Sequence, residues 1–523
     1  MCEMRFKAKA TTTLYCCAFL LGAVGLRAEV KLPSLLSDGL VLQQGAKVNI
    51  WGTADPGERV AVSLERQQAS EVAENDGRWK VKLGPFNAGG PFTMTIAGKN
   101  TLTLHDVLVG EVWVCSGQSN MQMPLSPTPW SGGVTNYQDE IARADYPRLR
   151  LFTVQRVVAD KPQRDVKGYW VAAHPETVGE FSAVGYFFGR ELLKVLNVPI
   201  GMIQSAWGGT PAESWTSRST LESDPEFKSI LEAGTKLLST YPNVFQDFEQ
   251  QLAQWRKDSN QAESEGAPVP TAPTVPNDPR RNPWRPSGLF NAMIIPLTSY
   301  AIRGAIWYQG EDNSGRPAQY RKLFPAMIRD WRRAWGEGDF PFLFVQLANW
   351  GIYQPQSNWP ELREAQLETL SLPNTAMAVT IDIGDGSDIH PKNKQEVGYR
   401  LALAAQAIAY ERDVIYSGPL YESMAVEGEK IRLRFKYVYG GLVAKNSPTT
   451  RLSGFEIAGD DRKFVPAEAT IEGDTVVARS EVLHPAAVRY AWGMNPQCNL
   501  YNRAGLPASP FRTDDWRDPT PGR

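Results

Sequence analysis

Six apolar runs, each followed by a polar or glycine-rich loop, divide the middle of the chain. Between several of them apolar residues recur at helical spacing, as at Val184, Phe188 and Leu192. Runs that are apolar on both faces are typical of parallel strands covered by helices, so we predict an α/β domain here. The predicted strands are Val112 to Cys115, Leu149 to Val154, Val198 to Gln204, Ile302 to Tyr308, Phe342 to Leu347 and Ala376 to Ile381.

Shorter alternating runs lie on either side of this region. Val48 to Trp51 and Val60 to Leu64 precede it, and Ile431-Leu433-Phe435 follows it, with glycine and aspartate turns between the runs. This pattern predicts short antiparallel strands. A chain of 523 residues also exceeds one hydrophobic core. We therefore predict a β-sandwich-like domain over 29–107, an α/β domain over 108–412 and a second β-sandwich-like domain over 413–523.

The α/β pattern is interrupted over about 217–286. Phe245, Phe248, Leu252 and Trp255 recur at helical spacing, and seven prolines then fall within the 19 residues 268–286. Prolines at this density exclude regular helix and remove sheet donors, which predicts an extended surface segment. Packing inside a helical core is the first interpretation of the aromatic stripe, and a lid or sugar platform beside the site is the alternative.

The first 28 residues have the pattern of a signal peptide. Basic Arg5, Lys7 and Lys9 precede 12 largely apolar residues, and Ala28 offers a cleavage position. This apolar stretch is too short for a membrane span, which needs about 20 residues, and nothing after Ala28 is long and apolar enough to be one. We expect export to the periplasm or the extracellular space.

Charge and cysteine content narrow the possible functions further. Without residues 1–28 the chain has 51 basic and 56 acidic residues, a net charge of −5, which does not favour nucleic acid or an anionic membrane as partner. Only Cys115 and Cys498 remain, too few for a disulfide framework, and Cys115 is expected to be a small buried apolar residue. No cluster has metal-ligand spacing, so neither a metal nor another cofactor is expected.

The candidate chemistry begins at Ser119, in Gly117-Gln118-Ser119-Asn120 directly after a predicted strand. Open α/β sheets place reacting groups outside the carboxyl ends of their strands. A serine hydroxyl needs a base, normally histidine, and donors for the developing oxyanion. Of the four histidines, only His390 lies in a polar loop directly after a predicted strand, so it is the candidate base.

Four motifs in order resemble the blocks of the SGNH hydrolases and, more narrowly, the sialate O-acetylesterase group of carbohydrate esterases. The resemblance covers about 35–512 and implies a flavodoxin-like parallel sheet. The motifs are Gly117-Gln118-Ser119-Asn120, Trp207-Gly208-Gly209-Thr210, Trp307-Tyr308-Gln309-Gly310-Glu311-Asp312-Asn313 and Asp388-Ile389-His390-Pro391.

This resemblance implies roles for individual residues. Ser119 would be the nucleophile and His390 the general base. The backbone N–H of Ser119, the N–H of Gly208 or Gly209 and the Asn313 side-chain amide would bind the oxyanion. Asp312 stands where the family usually has serine. Further residues of the same motifs are expected to contact substrate, namely Gln118, Trp207, Gln309 and Glu311.

The sequence does not identify the group that orients His390. Many SGNH enzymes have aspartate three residues before the histidine, but that position is Ser387 here. We predict Asp388, with Asp385 as the first alternative and Asp382 as a more distant acid. Side chains two residues apart can point to opposite sides of an extended turn, so a Ser119–His390 dyad with a backbone carbonyl as orienter also remains.

Two classes of function follow. The first is a secreted carbohydrate O-acetylesterase that acts through an acyl-enzyme. Sialic acid is then the first substrate candidate, and acetylated plant polysaccharide such as xylan or xyloglucan is the second. The other class is a non-catalytic carbohydrate-binding protein, against which the presence of Ser119, His390 and Asn313 counts. The sequence does not select the sugar, because loops outside the motifs contact the glycan.

Overall fold

A largely parallel sheet lies at the centre of the computed structural model, which describes residues 29–351 and 358–516. The predicted signal peptide, 1–28, lies outside the described residues. The strands up to the end of this sheet are β1 Val41–Gln43, β2 Val48–Thr53, β3 Arg59–Leu64, β4 Gln67–Val72, β5 Arg78–Leu83, β6 Gly89–Ala97, β7 Thr101–Gly117, β8 Tyr146–Thr153, β9 Trp170–Ala173, β10 Ile200–Ala206, β11 Gly304–Tyr308, β12 Phe342–Val345 and β13 Thr375–Ala378.

The helices alternate with these strands as the sequence pattern predicts. They are α1 Ser119–Gln122, α2 Tyr137–Ala142, α3 Pro175–Val178, α4 Ala183–Leu196, α5 Arg218–Glu222, α6 Lys228–Glu265, α7 Pro317–Trp335, α8 Trp359–Glu368 and α9 Lys394–Ile408. Short 3₁₀ turns cover Ala212–Trp215, Pro225–Phe227, Pro279–Arg281, Ile295–Leu297, Glu311–Asn313 and Thr369–Ser371, and Phe290–Ile294 forms a π turn.

Strand β7 occupies the middle of the sheet order β13-β12-β11-β7-β10-β8-β9. All neighbours in this row are parallel except β8 and β9. The carboxyl ends of β7, β10, β11 and β13 therefore lie along one edge, and each leads into one of the four motifs or their preceding loop. This arrangement confirms the predicted parallel α/β core.

Both faces of the sheet are covered. Helices α4 and α9 pack together over one face, where Trp113 meets Phe188 edge to face with ring centroids 5.0 Å apart. On the opposite face Trp307 contacts Trp331 of α7 at 5.8 Å. Every residue from 107 to 117 of β7 is buried, as expected for a strand that is covered on both faces.

The 17-residue strand β7 runs across the predicted domain boundary at 107–108. Its first half pairs with β6 in antiparallel fashion and with β1, whereas its second half pairs with β10 and β11. The N-terminal antiparallel strands and the parallel sheet thus share one continuous strand. No linker therefore separates the two sheets along β7.

The C-terminal region is antiparallel and has its own apolar cluster. Its strands are β14 Leu420–Glu427, β15 Lys430–Lys436, β16 Leu442–Ala444, β17 Arg451–Leu452, β18 Phe455–Gly459, β19 Val465–Pro466, β20 Glu468–Glu472, β21 Thr475–Arg479, β22 Pro485–Tyr490, β23 Leu500–Asn502 and β24 Phe511–Arg512. They form sheets in the orders β14-β15-β21-β20-β17, β19-β18-β22-β24 and β16-β23. Buried Arg363 joins this region to the central domain by donating to Gly493 O and Met494 O.

The insertion forms a helix that is longer than its aromatic stripe indicated. Helix α6 spans 38 residues, and Phe248 is its buried aromatic residue, whereas Phe245 is exposed. The proline-rich segment that follows returns along it in extended form, where Trp255 Nε1 donates to Pro270 O at 2.7 Å. The predicted extended segment is therefore present, and it packs on α6.

Cys115 and Cys498 are both free thiols. Burial raises the pKa of the Cys115 thiol far above its usual value, as expected for a small apolar core residue. Among the described residues, no helix combines the length and apolar character that a bilayer span requires.

Candidate active site

The turn that presents Ser119 depends on glycine at 117. Gly117 has φ +134°, and a Cβ there would lie 2.2 Å from Tyr308 O. No other residue tolerates both conditions, so β7 and β11 approach closely here. Gln118 N–H donates to Tyr308 O at 3.0 Å, and Ser119 then opens α1. The serine is half-buried at the carboxyl edge of the sheet.

The second loop places Gly208 against Ser119. A Cβ on Gly208 would lie 3.2 Å from the Ser119 Cβ, whereas a Cβ on Gly209 would meet nothing within 4 Å. The Gly208 N–H donates to Gln122 Oε1 at 2.6 Å. Of the two candidate glycines, Gly208 is therefore the one whose Cβ position lies against Ser119, and its N–H is hydrogen-bonded to a glutamine oxygen.

Asn313 lies in a buried polar cluster behind this loop. Its Nδ2 donates to Glu213 Oε2 at 2.9 Å, and its Oδ1 accepts from Ala212 N–H at 2.9 Å and Gln309 Nε2 at 2.7 Å. An amide nitrogen carries two N–H groups, and the second donates to no protein acceptor in the described part of the chain. These three hydrogen bonds fix the orientation of the Asn313 side chain.

Three of the predicted substrate-contacting residues are buried and paired with protein groups. Gln118 Nε2 donates to Asp312 Oδ2 at 2.9 Å, Gln309 Nε2 donates to Thr210 O at 3.2 Å, and Glu311 Oε1 accepts from Asn120 Nδ2 at 2.6 Å. Their carboxamide and carboxylate groups point into the protein because the motif loops pack over them. Trp207, the fourth of these residues, is half-buried.

Burial also affects the carboxyl group of Asp312. Burial raises the pKa of this carboxyl, and the hydrogen bond from Gln118 partly opposes the rise. Its negative charge is therefore held by a protein donor.

The His390 loop is tied directly to the Ser119 turn. Asn120 Nδ2, one residue after Ser119, donates to the carbonyl oxygen of Ile389, one residue before His390, at 3.0 Å. The imidazole packs edge to face against Trp130, with ring centroids 5.0 Å apart. In the part of the chain that the structure describes, no hydrogen bond joins the Ser119 hydroxyl to the His390 imidazole. Catalytic hydrogen bonds are often long before substrate binds.

Of Asp388, Asp385 and Asp382, only Asp388 faces the imidazole. Asp388 Oδ1 lies 3.6 Å from His390 Nδ1 and accepts the backbone N–H of His390 at 2.9 Å. Asp385 is bonded to the Ser387 hydroxyl at 2.7 Å, and Asp382 is bonded to Arg400 at 2.6 Å. The Asp388 separation is longer than a hydrogen bond, so the carboxylate acts here through its charge.

Three influences act on the protonation of His390. Burial lowers the pKa of the imidazole, the positive charge of Lys394 lowers it further, and Asp388 raises it. The lowering effects prevail, which favours the neutral imidazole, the form that can accept a proton.

A second charged group lies beneath the site. Lys394 is buried, and its Nζ donates to Asn120 Oδ1 and lies 5.0 Å from the centre of the Tyr308 ring. Burial lowers the pKa of Lys394 to about 7 and raises that of Glu311 to about 7. Glu311 Oε2 is buried without a hydrogen-bond partner among the described residues.

A cleft of about 500 Å³ lies beside the Asn313 loop. One wall is helix α6 and the proline-rich segment, and the other includes Glu213 and Asp312. Trp284, which is 56% exposed, borders it and donates through Nε1 to Gly209 O. The insertion thus stands next to the motif loops.

An exposed arginine, Arg156, lies beside Trp207 of the second motif loop. The Arg156 guanidinium stands 5.6 Å from the centre of the Trp207 ring. Arg156 is exposed and forms no ion pair with an acid of the described chain. Aromatic faces and a guanidinium together suit an acidic, partly apolar ligand.

Several residues of this site were not predicted from the sequence. Asn120 and Lys394 are in or near the motifs, but a polar residue in a loop carries no sign that it will be buried. Glu213, Gln122 and Arg156 lack a spacing rule, because their contacts span separate loops. A lysine at the first position of a helix was the one available signal, since the helix dipole disfavours a cation there.

Among the described residues no group of three or more His, Cys, Asp or Glu side chains could hold a metal ion.

Comparison with known proteins gives consistent results. The family described as "Carbohydrate esterase, sialic acid-specific acetylesterase" matches residues 281–408. The chain is 33% identical to the sialate O-acetylesterase of Mus musculus over 92% of this chain and 94% of that protein. It is 32% identical to the Homo sapiens sialate O-acetylesterase over 92% of each.

A solved structure is similar over nearly the whole length. It is a carbohydrate acetylesterase from Xanthomonas citri, 38% identical, with a TM-score of 0.78 over 93% of this chain and 100% of that one.

Proposed function

Because the chain belongs to the sialate O-acetylesterase family and is a carboxylic-ester hydrolase, we propose that it removes O-acetyl groups from sugars by an SGNH-type serine–histidine mechanism. The observation that carries this proposal is the convergence of the motif loops at one sheet edge. Gly208 packs against Ser119, and the residue after Ser119 bonds the residue before His390.

In the first step His390 accepts the proton of the Ser119 hydroxyl as the oxygen attacks the acetyl carbonyl. The neutral imidazole favoured by burial and by Lys394 is the form that this step requires. Asp388 stabilises the imidazolium that forms, since its carboxylate is the nearest acid to Nδ1. Collapse of the tetrahedral intermediate releases the sugar hydroxyl, which takes the proton from His390.

The oxyanion is held by the Ser119 N–H, the Gly208 N–H and the Asn313 amide. The Gly208 N–H must exchange Gln122 Oε1 for the substrate oxygen, so the side chain of Gln122 moves aside when substrate binds. Loss of one such donor typically lowers turnover by about 10²–10³-fold. We leave Gly209 outside this set, because of the two glycines it is Gly208 whose Cβ position lies against the Ser119 side chain.

Water then hydrolyses the acetyl-enzyme. His390 accepts a proton from the water, hydroxide attacks the acyl carbon, and Ser119 leaves with the proton returned by the imidazole. The products are acetate and the free enzyme. Gln118, Gln309 and Glu311 support the loops in this mechanism and do not bind the sugar.

The proposed substrate is an acetylated acidic sugar, with sialic acid as the first candidate. Two observations support it: the mouse and human relatives are named sialate O-acetylesterases, and exposed Arg156 beside Trp207 has no acidic partner in the described chain. Acetylated xylan or xyloglucan is the alternative.

The remaining elements of the proposal come from the sequence. Residues 1–28 would direct export, and the division at about 107 and 412 would give three structural units. The two β-rich regions would then flank the catalytic one.

Acetate release tests the proposal. Wild type and Ser119→Ala would be assayed on a small aryl acetate and on O-acetylated sialosides, xylan and xyloglucan. We expect turnover of the aryl acetate by wild type and none above background by Ser119→Ala. A wild-type protein without esterase activity would indicate a carbohydrate-binding protein. Activity confined to the plant glycans would reject the sialate substrate and keep the mechanism.

A further inference from the structure

Asn120 stands at a junction of four chain segments. Its Nδ2 donates both to Glu311 Oε1 at 2.6 Å and to Ile389 O at 3.0 Å, and its Oδ1 accepts from Lys394 Nζ. The four segments are the Ser119 turn, the loop after β11, the His390 loop and the first turn of α9. Asn120, Glu311 and Lys394 are all at least nine-tenths buried.

Burying this cluster costs the fold stability, and a functional role would explain why the cluster is present. Burying an amine and a carboxyl requires the removal of their water, and Glu311 Oε2 regains no hydrogen bond among the described residues. Lys394 also sits at the first position of α9, where the helix dipole opposes a positive charge. A methionine at this position would fill similar space without either penalty.

We propose that Asn120, Glu311 and Lys394 form a buried positioning unit, which sets the spacing between Ser119 and His390 and places a positive charge near the imidazole. The proposal rests on the serine–histidine mechanism stated above. None of the three touches the reacting atoms; they act through His390.

The two parts of the unit have different effects. Asn120 fixes distance, because a single side chain bonds the neighbour of His390 and is itself the neighbour of Ser119. Lys394 acts through charge and opposes protonation of the imidazole. Burial lowers the pKa of Lys394 to about 7, so the amine is still largely protonated in the more acidic range where an imidazole titrates.

Among the described residues, two charged groups act directly on His390, one from its own loop and one from α9. Asp388 favours the imidazolium and Lys394 opposes it, while the ring of Trp130 carries no charge. Glu311 reaches His390 through Lys394, whose protonated form it favours. Removal of the Lys394 charge therefore raises the pKa of His390, and the acid limb of the kcat/KM profile moves to higher pH.

Lys394→Met tests the charge. The kcat/KM profile on an aryl acetate would be compared with that of wild type and of Lys392→Met, an exposed lysine two residues away that does not contact Asn120. We expect the acid limb to move to higher pH in Lys394→Met alone. The position of a limb does not depend on how much enzyme is folded, and Lys394→Gln serves if the methionine variant does not fold. An unmoved limb in a folded variant would overturn this part.

Asn120→Ala tests the spacing. Misplacement of reacting groups by about 1 Å can lower turnover about 10²-fold, so we expect kcat on the alkaline plateau to fall by roughly that factor, with KM little changed. Asn120→Asp, which keeps the size and the acceptor for Lys394 and lacks the donor to Ile389, should lose nearly as much. A kcat within about threefold of wild type in both variants would overturn the positioning role. An inactive wild type, or an active Ser119→Ala, would instead refute the proposed mechanism.

Discussion

Replacing Asp388 by asparagine isolates the charge that faces His390. The two side chains have nearly the same shape, and the amide oxygen of the asparagine can still accept the backbone N–H of His390 that Asp388 Oδ1 accepts now at 2.9 Å. The loop should therefore keep its conformation. What the variant loses is the negative charge 3.6 Å from His390 Nδ1.

The size of the effect follows from that distance. At 3.6 Å a carboxylate and an imidazolium attract each other by about 4.6 kcal/mol at an effective dielectric constant of about 20. The Asp388 side chain is 36% exposed, so solvent screening reduces the attraction to roughly 2–3 kcal/mol. Each 1.36 kcal/mol corresponds to a tenfold change in rate. We therefore expect Asp388→Asn to lower turnover about 10²-fold.

The pH profile gives a second measurement on the same variant. Asp388 raises the pKa of His390, so its removal lowers that pKa and leaves the base neutral at lower pH. The acid limb of kcat/KM should then move to lower pH, opposite to the shift expected for Lys394→Met. Both quantities would be measured on an aryl acetate, with thermal unfolding to confirm the fold.

Asp385→Asn is the matched control, because Asp385 is occupied by the Ser387 hydroxyl and backbone N–H. It should retain turnover within about threefold. If Asp388→Asn loses less than about tenfold and its acid limb does not move, Asp388 is not the orienting acid. A large loss in Asp385→Asn would then favour that carboxylate, and no loss in either would favour a dyad.

Further predictions concern the oxyanion loop, the substrate and the domain contact. Gly208→Ala should lower turnover at least about tenfold, since its Cβ would lie 3.2 Å from that of Ser119. Gly209→Ala should keep its turnover, and its free energy of unfolding in urea should fall by about 1–2 kcal/mol because the residue has a positive φ. Equal losses of turnover in the two variants would contradict the assignment of Gly208. Arg156→Gln should raise KM for an O-acetylated sialoside and leave KM for a neutral aryl acetate unchanged, and parallel changes would remove Arg156 from substrate recognition. Arg363→Met should lower the free energy of unfolding by about 3 kcal/mol or more, because the buried guanidinium donates to four backbone carbonyls. Arg451→Met, at an exposed arginine, should change the free energy of unfolding by less than about 0.5 kcal/mol.

The sequence by itself determined the architecture of the central domain. Apolar runs such as Val112 to Cys115 have no polar face, so as strands they must be covered on both sides. Together with the helical patterns between them, this predicts a parallel sheet flanked by helices. Once the sheet is parallel, the loops after β7, β10, β11 and β13 must share one edge. Ser119 and His390 were therefore expected at that edge before any distance was known, and the structure places both there.

Tertiary structure decided the contacts within that edge. The sequence left Gly208 and Gly209 equivalent, and only the packing of the loop places Gly208 against Ser119. Glu311 was expected to meet substrate, yet it lies buried against Asn120, since the direction of a loop side chain depends on what packs over it. Lys394 lies outside the four motifs, so the sequence did not point to it. Burial, side-chain direction and the distance between charges arise when separate segments meet, and the order of residues along one segment does not contain them.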